Sequence, residues 1–121
     1  MVDLLPHVRD LLTPLGAPIE LSYSGIDTEI PLIVLSEADN RATAIADAEE
    51  LYSEVTVQTD VYHYDEYSAR TLAREVAEKM TASGFRRSFS SPLGEDVIFR
   101  YTMRFSVTVN EARKLLFSGR N

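Results

Sequence analysis

The sequence contains no cysteine. That absence excludes disulfide bridges, thiolate metal sites and cysteine nucleophiles. Only two histidines are present, which without cysteine argues against a zinc site. The chain also lacks a phosphate-binding G-x-x-x-x-G-K-[ST] loop, a G-x-G-x-x-G fingerprint and a G-x-S-x-G nucleophile motif. We therefore expect no enzymatic activity, no metal and no cofactor.

Long apolar runs and positive charge are also scarce. No apolar run approaches the roughly 20 residues that a membrane-spanning helix needs. The N-terminal MVDLLPHVRDLL lacks the basic segment and the cleavage site of a signal peptide, so we expect synthesis and folding in a cytoplasm. The 12 basic against 19 acidic residues give a net charge of −7. This charge argues against tight binding of nucleic acid, although it does not prevent DNA from passing nearby.

The 121 residues, 45% of them hydrophobic, suffice for one domain with its own core. We expect this domain over residues 1–110, with a C-terminal tail over 111–121. The KLLF segment of the tail is expected to dock as a short helix or to stay mobile until a partner covers it.

Hydrophobic periodicity predicts two helices and five strands. The helices are expected at 3–13 and 66–83, because apolar residues there recur on one helical face. The strands are expected at 18–23, 31–37, 51–64, 85–90 and 97–109, the third and fifth with strict alternation. A turn is expected at 91–96. The order α-β-β-β-α-β-β predicts an α+β fold, in which one mixed or mostly antiparallel sheet carries two helices on one face.

Two polar segments are predicted to be loops, residues 24–29 and 38–50. The second contains ADNRATAIADA, in which only Ile45 is a sizeable apolar anchor. Burying one such side chain cannot offset the entropy of ordering the whole segment. We therefore expect a mobile loop with at most a short helical turn near 44–50, ordered by a partner.

The stretch DVYHYDEY at 60–67 holds the residues most suggestive of chemistry. Asp60 and His63 are three apart in a strand and so point to opposite faces, which suits neither a shared metal nor an acid–base pair. Asp65 is a natural N-cap for the second helix. We interpret the stretch as a strand end followed by a helix cap.

Four arginines, Arg86, Arg87, Arg100 and Arg104, form the one basic concentration. They suit either an anion site or cross-strand pairing with Glu54 and the polar residues up to Asp60. We favour cross-strand pairing, which still leaves a polar sheet face for a second subunit.

Four segments resemble one protein family. VQTDVY fits its V-Q-x-D-[VI]-[YW] strand before an Asp-capped helix, GFRR fits its G-F-[KR]-[KR] re-entry into the sheet, and LTPLGAPI fits its early turn. VIFRYTMRFSV fits its closing strand, with Met103 where leucine is more usual. Over residues 3–109 the chain resembles the tail terminator, or tail completion, proteins of long-tailed bacteriophages. The segment after Asn110 is not part of this pattern.

The resemblance implies a structural virion protein without catalytic residues. Family members form a ring, typically of six copies, on the head-proximal end of the tail tube. The ring stops tube growth and joins the tail to the head connector, and DNA passes through its centre. A closed ring needs two different patches that meet head to tail. The candidate interface residues are Asp39, Arg41, Ile45, Asp47, Glu54, Asp60, Arg86, Arg87, Arg100 and Arg104.

Two alternatives remain open at this stage. One is another ring of the phage neck, such as a head completion or stopper protein. The other is a small cytoplasmic enzyme or ligand-binding α+β domain with a pocket near His63 and Tyr64.

Overall fold

A computed structural model of the chain describes residues 3–22, 30–47, 50–94, 98–110 and 115–117. Two helices and six strands lie within these ranges. They are α1 (Leu5–Leu12), β1 (Ile19–Leu21), β2 (Leu32–Asp47), β3 (Glu50–His63), α2 (Glu66–Ala82), β4 (Arg86–Gly94), β5 (Phe99–Asn110) and β6 (Leu115–Phe117). A 3-10 turn, Thr13–Leu15, follows α1 directly. Neither described helix has the length and apolarity to cross a bilayer.

The strands form one mixed sheet in the order β1-β2-β3-β5-β4. β1 runs parallel to β2, and the remaining pairs are antiparallel. β6 pairs with the last three residues of β5. Both helices pack on one face of the sheet, where α1 also contacts α2. The predicted α+β class is therefore confirmed, with β6 as an additional strand at the end of the order.

The core lies between this sheet face and the helices because alternate strand residues point to the same side. Between Val55 and Val61 on β3 and between Met103 and Val109 on β5 these residues are at most 1% exposed, and they meet buried side chains of α1 and α2. The central members are Val8, Leu12, Val55, Val57, Val61, Val76, Met80, Met103, Phe105 and Val107.

The predicted start of α2 is confirmed and its end lies within one residue of the prediction, whereas α1, predicted at 3–13, is shorter and has Leu4 as its N-cap without a side-chain cap. Asp65 is the N-cap of α2, and its Oδ1 accepts the Ser68 N–H at 2.8 Å. Gly84 ends the same helix with φ of 97°, a left-handed conformation that favours glycine. At α1, Asp3 Oδ1 accepts the Leu5 N–H at 3.0 Å, which satisfies one of the free N–H groups of the first turn.

The prediction of a loop over residues 38–50 is wrong for the residues that the structure describes. Residues 38–47 continue β2, and residue 50 begins β3. Asp39 lies opposite Thr56, Arg41 opposite Glu54, and Ile45 opposite Leu51. Backbone hydrogen bonds to β3 order this segment, so the segment does not need several buried apolar side chains. Three register shifts along β2 accommodate its irregular polar pattern.

Two smaller predictions also need correction. Residues 91–94, expected in a turn, continue β4 opposite Phe99–Thr102. Pro92 is tolerated there because β4 is an edge strand. The C-terminal LLF segment forms β6 and not a short helix, because the end of β5 extends beyond β4 and offers it a partner. The predicted loop at 24–29 lies outside the described residues.

Candidate interface

The face of the sheet that points away from the helices is polar along β3 and β5, whereas Leu32 and Val34 at the start of β2 lie buried on it; it is called the open face below. Along β3 it carries Glu54, Thr56, Gln58 and Asp60, which alternate with the core residues. Because β3 and β5 are neighbours, these side chains face a second polar row on β5. The structure thus confirms the predicted cross-strand pairing for Arg86, Arg100 and Arg104, but not for Arg87.

Asp60 is the centre of this face and is only 5% exposed. Its Oδ1 accepts hydrogen bonds from Arg100 Nε at 3.0 Å and from the Thr102 hydroxyl. Its Oδ2 accepts a third, from Gln58 Nε2 at 3.0 Å. These three hydrogen bonds offset part of the cost of removing the Asp60 carboxylate from water.

Gln58 extends the network towards the edge of the sheet. Its Oε1 accepts a hydrogen bond from Arg104 Nε at 3.0 Å. The Arg104 guanidinium in turn lies 5.5 Å from the ring centroid of Phe89 on β4. Phe89 is 46% exposed, an unusual state for a phenylalanine, and it is the one large hydrophobic side chain classed as exposed on this face among the described residues.

Glu54 joins three strands at the other end of the face. Its carboxylate lies 3.3 Å from Arg41 on β2 and 3.6 Å from Arg86 on β4. Arg41 also lies 3.5 Å from Asp39. These arginine side chains are more than half exposed, so each pair contributes little stability. Their charges remain available for contacts with another protein.

The predicted interface residues therefore divide into three groups. Seven lie together on the open face: Asp39, Arg41, Glu54, Asp60, Arg86, Arg100 and Arg104. Arg87 does not belong with them, because it lies opposite the core residue Phe105 and points to the helix side of β4. Ile45 and Asp47 lie on β2, opposite Leu51 and Glu50.

Sequence reasoning did not find Phe89 as a member of this face. In regular alternation Arg86 and Phe89 would point to opposite faces. A register shift between Arg87 and Phe89 places Phe89 opposite Arg104 and so turns it to the open side. No local signal in FRRSFS indicates this shift.

Near the corner between β3 and α2, Asp60 and His63 lie on opposite faces of the sheet, as the sequence predicts. His63 lies at the rim of a groove of about 320 Å³ on the helix side of the sheet, together with Tyr67 and Glu75. Its Nδ1 accepts the N–H of Tyr64 at 2.9 Å.

The hydrogen bonds from Ser68, and then the nearby His63, lower the pKa of Asp65. No group of three or more His, Asp or Glu side chains in the described part of the chain could hold a metal ion.

A second groove, of about 550 Å³, lies between α2 and the β4–β5 edge. Arg70 and Arg74 from α2 and Arg87 from β4 line it, and Met103 is buried beneath it. Arg70 and Arg74 are four residues apart and so share one helical face. That spacing is a signal that sequence reasoning overlooked.

Comparison with known proteins identifies no family, since no protein-family model matches the chain and no curated protein matches it. A function for this chain therefore has to be inferred from its residues and their geometry.

Proposed function

We propose that this protein is the subunit of a ring that caps the head-proximal end of a phage tail tube, where it ends tube growth and joins the tail to the head connector. One observation carries the proposal. The motif segments that resemble tail terminator proteins, although far apart in sequence, lie on adjacent strands, and their polar side chains bond to one another. Gln58 and Asp60 of VQTD contact Arg104 and Arg100 of the closing strand.

These contacts give the motif a physical role. The side-chain oxygens of Gln58 and Asp60 on β3 need hydrogen-bond donors opposite them. β5 supplies these donors in Arg100, Thr102 and Arg104. The result is a polar face in which nearly buried groups are bonded to each other. A rigid, preorganised face of this kind loses little side-chain freedom when another subunit covers it.

The rim of the open face suits contacts between proteins. Arginine and aromatic residues are enriched at such interfaces, and Arg41, Arg86, Arg104 and Phe89 are exposed there. The surface charges are of both signs, because Asp39 and Glu54 lie beside these arginines. We infer that this face meets either a neighbouring subunit or the tail tube protein.

The alternative of a small enzyme built on Asp60 and His63 is not supported, although His63 does line a groove of about 320 Å³. Asp60 and His63 lie on opposite faces of the sheet, and His63 Nδ1 already accepts a backbone N–H. Tyr64 is 60% exposed and lines no described groove. We therefore propose a structural virion component, made in the cytoplasm of the host, with no catalytic role. A different ring of the phage neck is distinguished by which partner it caps.

Assembly tests the proposal directly. Purified protein is mixed with a tail tube protein from the same genome, and the products are viewed by negative-stain electron microscopy and sized by light scattering. We expect hollow rings, and tubes that stop growing once the protein sits on one end. A protein that stays monomeric and leaves tube growth unchanged would contradict the proposal. A ring that binds the head connector but not the tube would identify another neck ring.

A further inference from the structure

The groove between α2 and β4, called the arginine groove below, carries positive charge that the subunit itself leaves largely unused. Among the described residues, neither Arg74 nor Arg87 has an ion-pair or hydrogen-bond partner, and both are exposed. Arg70 lies 3.7 Å from Glu66, with both side chains at least half exposed, and its guanidinium lies 5.9 Å from the ring centroid of Tyr101. An exposed ion pair of this kind contributes little, so Arg70 also remains available to an outside anion.

The arginine groove extends along most of α2. A smaller groove of about 210 Å³ shares Arg70 and Tyr101 with it, and the α2 residues that line the two grooves run from Glu66 to Thr81. At 1.5 Å per residue this part of the helix is about 22 Å long. An extended polypeptide of about seven residues has the same length. The two adjoining grooves are therefore long enough for a segment of a chain, and one small anion would fill only part of them.

The floor of the arginine groove is made of small and apolar side chains. Ala73 and Ala77 of α2 line it, and Met103 of β5 is buried beneath it. Alanine side chains allow a backbone to approach closely, and the arginines stand around this floor. A segment that lays its backbone or aliphatic groups on the floor and turns carboxylates to the rim would be complementary.

The spacing of the arginines matches an extended acidic segment. Arg70 and Arg74 are one helical turn apart, which separates them by about 6 Å along α2. Alternate side chains of an extended chain are about 6.6 Å apart. A segment that lies along α2 with acidic residues at alternate positions would therefore offer one carboxylate to each of these arginines. Arg87 stands on the β4 wall of the same groove and can bind a third.

We propose that the arginine groove is a docking site for an extended acidic segment of a partner protein. One subunit contains the whole groove, so the inference does not depend on the proposed ring. The groove lies on the helix side of the sheet, whereas Arg104 and Phe89 lie on the open face. The two surfaces can therefore be occupied at the same time by different partners.

DNA is a less suitable occupant of this groove. Glu66 and Glu78 lie beside the arginines, and these carboxylates and the net charge of −7 repel a continuous row of phosphates. Three arginines also release few counterions, whereas affinity for DNA depends on many. An acidic segment, in contrast, can place neutral residues beside the two glutamates and needs only two or three arginine contacts.

Binding of a defined peptide provides the test. The probe is a short fluorescent peptide in which glutamate alternates with threonine, and its binding to the purified protein is measured by fluorescence anisotropy. We expect saturable binding that weakens as salt is added. Arg74→Glu and Arg87→Glu each place a like charge against the peptide, so each should raise the dissociation constant at least about tenfold. A peptide with glutamine in place of every glutamate should not bind.

The matched control is Arg9→Glu, which makes the same change of charge at an exposed arginine on α1 that does not line the groove. It should bind the peptide like the unmodified protein. All variants are first checked for unchanged circular dichroism and melting temperature. If the peptide does not bind, or if Arg9→Glu weakens binding as much as Arg74→Glu does, the inference is overturned and the proposed ring is unaffected.

Competition separates the acidic segment from other anions. Duplex DNA and inorganic phosphate are each added to the complex of protein and peptide. We expect neither to displace the peptide at equal concentration of negative charge. Stronger displacement by DNA, lost in Arg74→Glu and Arg87→Glu, would overturn the inference and assign the groove to nucleic acid. Equal displacement by phosphate would reduce it to a site for single anions.

Nuclear magnetic resonance locates the bound peptide without any substitution. Addition of the peptide should shift the amide signals of residues 70–81 on α2 and of Arg87 and its neighbours on β4. Signals of residues 54–60, whose polar side chains form the open face, should change little. Shifts concentrated at 54–60 would place the peptide on the open face and would overturn the inference.

Discussion

Arg100 and Asp60, on neighbouring strands, form an ion pair of 3.0 Å between Nε and Oδ1 on the open face of the sheet. The Asp60 side chain is 8% exposed, whereas that of Arg100 is 30% exposed. Removing the carboxylate takes away one hydrogen-bond acceptor from each of Arg100, Thr102 and Gln58. Asp60 therefore holds β3 and β5 together through side chains as well as through the backbone.

We expect Asp60→Ala to lower the free energy of unfolding by about 3 kcal/mol, near the lower end for a broken buried ion pair, because Arg100 can turn to water. Urea unfolding followed by circular dichroism measures this loss. The control is Asp39→Ala, an exposed acidic residue, which should change the same quantity by less than about 0.5 kcal/mol. Equal losses for the two variants would show that burial of Asp60 is not what matters.

Thr59 offers a stabilising substitution. Its side chain is fully buried on the helix side of β3, and its hydroxyl oxygen has no hydrogen-bond partner among the described residues. Replacing the hydroxyl by a methyl group removes the cost of burying it, so Thr59→Val should raise the free energy of unfolding by about 1 kcal/mol. Thr59→Ala also removes the hydroxyl but leaves a void, so it should gain less or lose stability. A destabilised Thr59→Val variant would point to an acceptor or a clash in the core.

Asp65 should make the stability of α2 depend on pH. Hydrogen bonds from Ser68 hold the pKa of Asp65 below its ordinary value of 3.8. A carboxylate with a depressed pKa stabilises the folded state above the pKa of the unfolded chain, and this contribution disappears as the pH falls through the folded pKa. Asp65→Ala should therefore melt at a lower temperature than the unmodified protein at pH 7, and the difference should shrink below about pH 4. Asp65→Ser, which retains a capping oxygen, is the control, and a difference that persists at pH 2 would exclude ionisation as the cause.

In the free subunit, amide hydrogen exchange should distinguish the β2 amides that bond to β3 from those that point to the outer edge of the sheet. Residues 36–47 pair with β3 on one side only among the described strands, whereas β3 pairs on both sides. We expect only some amides of 36–47 to be protected, in rough alternation broken at the register shifts, and nearly all amides of 52–61 to be protected. Nuclear magnetic resonance exchange measurements resolve this pattern. Uniformly rapid exchange across 36–47 would mean that the long strand does not persist in solution.

Much of the fold follows from local patterns. The alternation in β3 and β5, the apolar stripe of α2 and its Asp65 cap each depend on neighbours within a few residues. The alternation also predicts that Gln58 and Asp60 face Arg104 and Arg100, once the two alternating strands are assumed to be neighbours. The second half of β2 was not predictable in this way. ADNRATAIADA has no strand periodicity, and its order comes from β3 at the other arm of the hairpin.

By itself, the sequence determined the α+β class, the ends of α2 and the separation of Asp60 from His63, because strand alternation and helix capping act over a few residues. The tertiary structure alone decided which charged residues meet. A register shift in β4 turns Phe89 to the open face and leaves Arg87 on the helix side, where it lines a groove with Arg70 and Arg74. Such groupings depend on strand order and register across tens of residues, and no local pattern encodes them.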